Sequence, residues 1–258
     1  MAGMDQDGLA GNVALVTGAS GGIGSGIARR FAQAGAEVVV QYHRDAAGAA
    51  EVVGAIESAG GNAVAAQADL RSPEDAEHVV QAALDAFGRL DAAVLNAGIQ
   101  PVQPLAEMSL ADFRAVQESN VDATFLVLQA ARRAMAGQDG GGAVVAIGSI
   151  VGNQPKPGSA HYAVSKAAVG MLVRSAALEF ARDGVRVNLV SPGLVERPGI
   201  RSDWPEGVTA WETGNPIARL GRPTDVADAC LFLCGPGSSW VTGQELVVDG
   251  GASIRPTW

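Results

Sequence analysis

Aromatic side chains supply only 5% of the residues, so any core has to be assembled from Val, Leu, Ile and Ala, which the 48% hydrophobic content provides. Cysteine is nearly absent. Cys230 and Cys234 fall in one apolar stretch; two thiols without further ligands nearby do not make a metal site and read as buried, free groups of a cytosolic protein. Positive charge is also scarce: 18 Lys and Arg stand against 27 Asp and Glu, a formal net charge of −9. That balance argues against nucleic acid or an anionic membrane as a partner of the bulk surface, while leaving room for a local basic pocket. No apolar run is long enough to span a bilayer. The opening residues 1–10 carry acids where a secretory signal would carry a hydrophobic stretch. The expectation is a soluble, cytoplasmic protein with a flexible start over 1–10 and one domain over 11–258.

Against these shortages stands a regular alternation. Short apolar runs predict strands at 13–17, 37–42, 63–68, 92–95, 143–147, 185–190 and 245–248. Between them, Ala-rich amphipathic segments predict helices at 22–34, 46–59, 73–87, 110–135, 159–182 and 224–233. The strands are near-continuous in Val, Ala, Leu and Ile, as expected where both faces of a sheet are covered. Helix starts are signalled by Ser72 before Pro73, by Ser109 with Asp112, and by Pro223-Thr224-Asp225. The fold class is therefore α/β: a single doubly wound Rossmann-type domain, with a seven-stranded parallel sheet, right-handed crossovers and helices on both faces. Only 192–222 breaks the rhythm, with four prolines and with Trp204 and Trp211. It reads as a weakly structured loop, either a substrate lid over about 194–222 or a surface insertion packing its own tryptophans.

Two clusters carry chemistry. Thr17-Gly18-Ala19-Ser20-Gly21-Gly22-Ile23-Gly24 joins the first strand to the first helix. Glycines allow a tight turn and close approach of a ligand, and the helix N-terminus beyond them suits a pyrophosphate. The second cluster is Tyr162-Ala163-Val164-Ser165-Lys166, which holds one of only two tyrosines and one of only two lysines. Four residues apart on a helix, the pair shares a face, and a cation beside the phenol would lower its pKa and make Tyr162 a proton donor and acceptor near neutrality. The alternative is an exposed helix pair. At the end of the second strand, Gln41-Tyr42-His43-Arg44 carries no acid to bond both ribose hydroxyls of NAD. Arg44 can fork onto a phosphate, with Ser20, Tyr42 and His43 beside it, so NADP(H) is expected over NAD(H), although Asp45 keeps NAD open.

Gly18…Gly22-x-Gly24, Asp69-Leu70, Asn96-Ala97-Gly98, Asn120, Ser149, Tyr162-x-x-x-Lys166, Pro192-Gly193 and Val248-Asp249-Gly250-Gly251 occur in one order. With these motifs the chain, over roughly 12–252, resembles the single-domain branch of the short-chain dehydrogenase/reductase family. The resemblance implies an NAD(P)-dependent oxidoreductase that interconverts a ketone and a secondary alcohol, with Asn120, Ser149, Tyr162 and Lys166 as the catalytic set. It implies that Tyr162 exchanges a proton with the reacting oxygen and Ser149 bonds it. Lys166 would tune the phenol and hold the nicotinamide ribose, and Asn120 would anchor a water. Asp69 would meet the adenine amino group, with Leu70, Ile23, Pro192, Gly193 and Val195 lining the cofactor site and no metal involved. Arg197 stands where the family commonly has Thr, and is expected to face substrate or cofactor phosphates. The chain is also similar to 3-oxoacyl-carrier-protein reductases, but residues 136–142 lack a cation to dock an acidic carrier, although Arg132 and Arg133 precede them. A free small-molecule carbonyl compound, apolar or aromatic, is favoured over a carrier-bound one. Gln100, Pro101, the segment 150–161 with Lys156 and His161, and the 192–222 tryptophans are expected around it. A homotetramer built on the two long helices follows from the same resemblance. An NAD-dependent alcohol dehydrogenase and a catalytically silent dinucleotide-binding regulator or scaffold stay open.

Overall fold

The short Val/Ala/Leu runs form seven strands: β1 (Val13–Val16), β2 (Glu37–Tyr42), β3 (Ala63–Gln67), β4 (Ala92–Leu95), β5 (Gly142–Ile147), β6 (Val185–Pro192) and β7 (Glu245–Val248). They pair in parallel in the order β3-β2-β1-β4-β5-β6-β7 in a computed structural model that describes residues 8–254. The helices are α1 (Gly22–Gln33), α2 (Ala46–Ser58), α3 (Pro73–Phe87), α4 (Leu110–Gln117), α5 (Ala123–Met135), α6 (Ala160–Phe180), α7 (Ile200–Asp203), α8 (Pro205–Gly214) and α9 (Pro223–Cys234). Strand residues alternate between two apolar cores. Val13, Leu15 and Val39 face Val79, Val127 and Val173 of α3, α5 and α6. Ala14, Val16, Val38 and Val40 face Ile27 and Phe31 of α1, Val52 of α2 and Cys230 of α9. Two covered faces explain why the strands lack polar alternation.

The expected helix starts are present. Ser72 Oγ accepts from the Asp75 amide at 3.2 Å, and Ser109 with Asp112 forms a reciprocal capping box. At α9 the Asp225 carboxylate accepts from the Arg222 amide at 2.6 Å. Two expectations need correction. The single helix expected over 110–135 is interrupted by a π-helical turn, Glu118–Asp122, where the Thr124 hydroxyl takes the Asn120 carbonyl at 2.7 Å. A side chain bonding the backbone four residues back competes with the helical ladder, and a run of helix-forming residues does not reveal it. The segment 192–222 is also more ordered than expected. It contains α7 and α8 and a small core of its own, Ile200, Val208 and Leu220, packed by Leu194 and Trp211. Helices of 4 and 10 residues are too short to declare a hydrophobic period, and Pro205 opens α8 where a proline is tolerated. Of the expected flexible start, residues 1–7 lie outside the described residues. Leu9 is buried, and its amide donates to the Ala34 carbonyl at 2.8 Å. Among the described residues no helix is long and apolar enough to cross a membrane, and no cluster of side chains could hold a metal.

Candidate active site

The strand order reverses between β1 and β4, and a crevice opens there at the carboxyl ends of the strands. Its floor is the glycine turn, held from three sides. The buried Thr17 hydroxyl accepts from the amides of Asn96 (2.8 Å) and Ala97 (3.0 Å). Asn96 Nδ2 returns two bonds, to the carbonyls of Thr17 (2.9 Å) and Gly18 (3.1 Å). Gln41 Oε1 accepts from the Gly18 amide at 2.8 Å while its Nε2 donates to the Ala68 carbonyl at 2.9 Å. A side chain at Gly24 would collide with the Gly18 carbonyl, and Gly22 sits at φ 53°, a conformation that favours glycine. Gly21 and Gly22 face open space, and the first turn of α1 has neither a side-chain cap nor an acid. Its free amides, with Ile23 lining the cleft beyond, fit the pyrophosphate of a dinucleotide.

At one end, a groove beside the glycine turn brings together Gly18, Ser20, His43, Arg44, Asp69, Leu70, Ala97 and Gly98, and is lined also by Gln41, Asp45 and Arg71. Tyr42 does not join them. Strand alternation turns Gln41 toward the glycine turn and packs the half-buried Tyr42 against the core on the α1 and α2 side. Asp45 is occupied as the cap of α2, accepting from the Gly48 amide at 2.9 Å. Asp69 is gripped by the Arg71 guanidinium through bonds of 2.9 and 2.6 Å, and that contact holds its carboxyl down at about 2. Arg44 has no ion-pair or side-chain hydrogen-bond partner among the described residues. Gln41 and Arg71 were missed by the sequence reading. A lone amide among the valines of β2 was the available signal for Gln41, whereas Arg71 carries none.

At the other end lies a cleft of about 550 Å³ whose lining includes Asn96, Gly98, Ser149, Tyr162, Lys166, Pro192, Gly193 and Val195. Ser149 follows β5, and its Oγ accepts from the Val151 amide at 3.2 Å, leaving the hydroxyl hydrogen available. Tyr162 is half-buried in the first turn of α6. Burial pushes its phenol above the ordinary range, and a hydrogen bond with Ser149 opposes that rise. Lys166 is buried one turn on, its Nζ 5.6 Å from the Tyr162 ring centre and donating to the Ile147 carbonyl at 2.7 Å. Burial pulls its ammonium down to about 8. The expectation that this cation depresses the phenol is therefore not met: desolvation dominates at both groups and disfavours both charged forms.

Asn120 is fully buried in the π turn. Its Oδ1 accepts from the Ile99 amide (2.8 Å), and its Nδ2 donates to the Ile99 carbonyl and to Ser165 Oγ (3.0 Å each). Ser165 in turn donates to the Tyr162 carbonyl at 2.8 Å. The amide thus links the loop after β4 to the start of α6. His161 does not line the cleft. It is fully buried, and Nδ1 accepts the Tyr162 amide at 2.9 Å. Arg197 lines the cleft but bonds Asp203 at 2.9 Å, so its charge is answered within its own segment. Gln100, Lys156, Trp204 and Trp211 are brought together here, whereas Pro101 is not.

The family model described as enoyl-(acyl carrier protein) reductase matches residues 18–253. The 3β-hydroxysteroid dehydrogenase 1 of Eggerthella lenta is 38% identical over 252 residues, which is 97% of either chain. Among solved structures, a short-chain type dehydrogenase/reductase from Mycobacterium marinum is similar with a TM-score of 0.90 at 35% identity, covering 99% of this chain and 100% of that one. A 7α-hydroxysteroid dehydrogenase complexed with NADH and 7-oxo glycochenodeoxycholic acid gives 0.92 at 38% identity, over 97% and 98% of the two chains. Similarity over nearly the whole chain, together with the sheet order and the glycine turn, means that this protein belongs to the short-chain dehydrogenase/reductase family, oxidoreductases that bind a nicotinamide dinucleotide and act on the CH–OH/C=O pair.

Proposed function

We propose that the protein is an NADP(H)-dependent ketoreductase that converts a free, largely apolar ketone to a secondary alcohol, with Tyr162 as the general acid. The observation that carries this reading is that Ser149 and Tyr162 line one cleft whose accessible surface is mostly apolar, with Lys166 one helical turn beyond Tyr162. The bound nicotinamide supplies the hydride. The protein's part is to meet the negative charge that builds on the carbonyl oxygen. A phenol raised by burial stays protonated at neutral pH and donates its proton to that oxygen. Ser149, whose Oγ already accepts from Val151, directs its hydrogen to the same oxygen. Lys166 sets a buried positive charge beneath the phenol and is the group to hold the nicotinamide ribose. Asn120 acts through Ser165, fixing the turn that carries Tyr162.

NADP(H) is favoured because Arg44 is free in the groove that His43 and Ser20 also line, while the acid that would favour NAD, Asp45, is committed to capping α2. NAD(H) is kept as the second reading by the NADH named with the 7α-hydroxysteroid dehydrogenase structure. A carrier-bound substrate is disfavoured, since Arg132 is paired with Asp183 and Arg133 with Glu77. Exposed Phe125 on α5 with Met171 and Leu178 on α6 support the homotetramer, and two free, buried thiols suit the cytoplasm. Oxidation of NADPH and NADH is to be followed with a panel of activated apolar ketones. Turnover with NADPH preferred supports the reading. Turnover with NADH alone overturns the cofactor, and no turnover with either overturns the enzyme.

A further inference from the structure

The charged side chains of the catalytic cleft are not equivalent. Glu196 accepts from Arg201 at 3.3 Å, and Arg197 donates to Asp203 at 2.9 Å, so the charges brought by the 194–222 segment are neutralised there. Lys166 is buried and bound to a carbonyl. Lys156 alone remains, exposed, with neither an ion-pair nor a side-chain hydrogen-bond partner among the described residues. Its ammonium lies over the ring of Trp204, 5.2 Å from the centroid, and both side chains line the cleft. The backbone beneath it is fixed. Pro155 and Pro157 flank it, Ser159 Oγ donates to the Lys156 carbonyl at 2.7 Å, and the Gly158 carbonyl takes the Gln103 amide at 2.9 Å. In a chain of net charge −9, this is an uncompensated cation on a stiff loop, laid against an aromatic wall that is itself 40% exposed.

We propose that Lys156 and Trp204 form a recognition site for an anionic group, a carboxylate or its equivalent, borne by an apolar substrate away from the carbonyl that Tyr162 serves. This rests on the reading of the cleft as a ketone site and names its substrate class: an acidic ketone with an apolar body. The apolar body lies against Trp204 and the anion draws the ammonium off the ring. A cation held on an exposed indole face is retained by a modest attraction, so an oxyanion competes for it readily. Discrimination then comes from a charge whose pivot is already in place, which keeps the ordering cost of binding low.

A matched pair of probes tests this without turnover: 2-naphthylacetate and the neutral 2-naphthylacetamide, titrated calorimetrically into wild type, K156Q and W204L. Wild type should bind the anion about fivefold more tightly, the upper end for an exposed ion pair, and K156Q should remove that preference while leaving the amide within about twofold. The preference should fade as ionic strength rises from about 0.01 M to about 1 M, where the screening length falls to about 3 Å. W204L should weaken both probes and keep their ratio. Equal affinities in wild type, a preference that survives K156Q, or failure of both probes to bind at millimolar concentration would each overturn the proposal. Reduction of neutral ketones, assayed in parallel, separates it from the parent reading. An enzyme that reduces them without favouring the anion loses the site and keeps the activity; an anion preference without hydride transfer does the reverse.

Discussion

At the adenosine end, the groove is tied together by residues far apart in the chain: Gly18 to Gln41 across 23 positions, Thr17 to Asn96 across 79. At the carbonyl end, the 194–222 segment is tied to itself: Arg201 to Glu196 and Glu212, Arg197 to Asp203, all within 11 positions. The first arrangement joins part-buried backbone amides to the buried side chains of Thr17 and Gln41. The second uses exposed ion pairs, each worth about 1 kcal/mol or less. One end is therefore a fixed cradle and the other a surface that can be rebuilt around a different substrate at little cost to the fold.

The sharpest way to separate chemistry from scaffold is Tyr162→Phe. It removes one hydroxyl from the cleft and leaves the cradle intact, so turnover should fall by about 10²–10⁴ while cofactor Kd, read by fluorescence titration, stays put. A kcat above a tenth of wild type would remove Tyr162 from its role. Thr17→Val attacks the cradle instead. It strips the acceptor from two amides that have no other partner, and denaturant unfolding should show a loss of about 2–4 kcal/mol. A smaller loss would mean that water reaches this end too.

Lys166→Met sits between the two regimes. Burying an ammonium whose pKa falls from 10.5 to about 8 costs folding stability below pH 8, and the cost disappears as pH rises toward 10.5, because the unfolded chain then holds the extra proton. The variant should lose turnover yet unfold later than wild type at pH 7, by about 2 kcal/mol after the lost bond to Ile147 is subtracted. Measured across pH 8–10.5, the gap should close; a gap that widens would show that the folded protein holds this proton more tightly than the unfolded chain does, so that burial does not pull the ammonium down. Arg44→Ala should have the smallest effect, weakening NADPH by about tenfold through loss of one charged phosphate contact and leaving NADH nearly unchanged. Equal weakening of both cofactors would remove Arg44 from phosphate recognition.

What the sequence made legible follows the same division. The strands at 37–42, 92–95 and 245–248 were placed to the residue; for the first two, apolar runs bounded by turns have one reading in a covered sheet. The glycine turn and the Tyr162–Lys166 spacing were equally plain, since each depends on residue types that little else requires. Three features were not legible. The π turn at Asn120 coincides with one threonine hydroxyl bonding the backbone four residues back, and α7 and α8 are too short for a period to emerge. The Arg71 grip on Asp69 joins two residues whose neighbours predict nothing of their side-chain directions. The environment of Lys166 was misjudged for a related reason: spacing puts it beside Tyr162 but does not reveal that both would be desolvated.

The orientations of Gln41 toward the glycine turn and of Tyr42 toward the α1 and α2 side have a consequence for how this protein can change over time. Tyr42 is the last residue of β2 in register with β3, opposite Gln67. On the proposed reading, the ribose end is read beyond it, on the exposed turn of His43 and Arg44, where no strand pairing and no core depends on the side chain. Substitutions there leave strand pairing and core untouched, so on that reading single steps move a lineage between the two nicotinamide cofactors with each intermediate still folded.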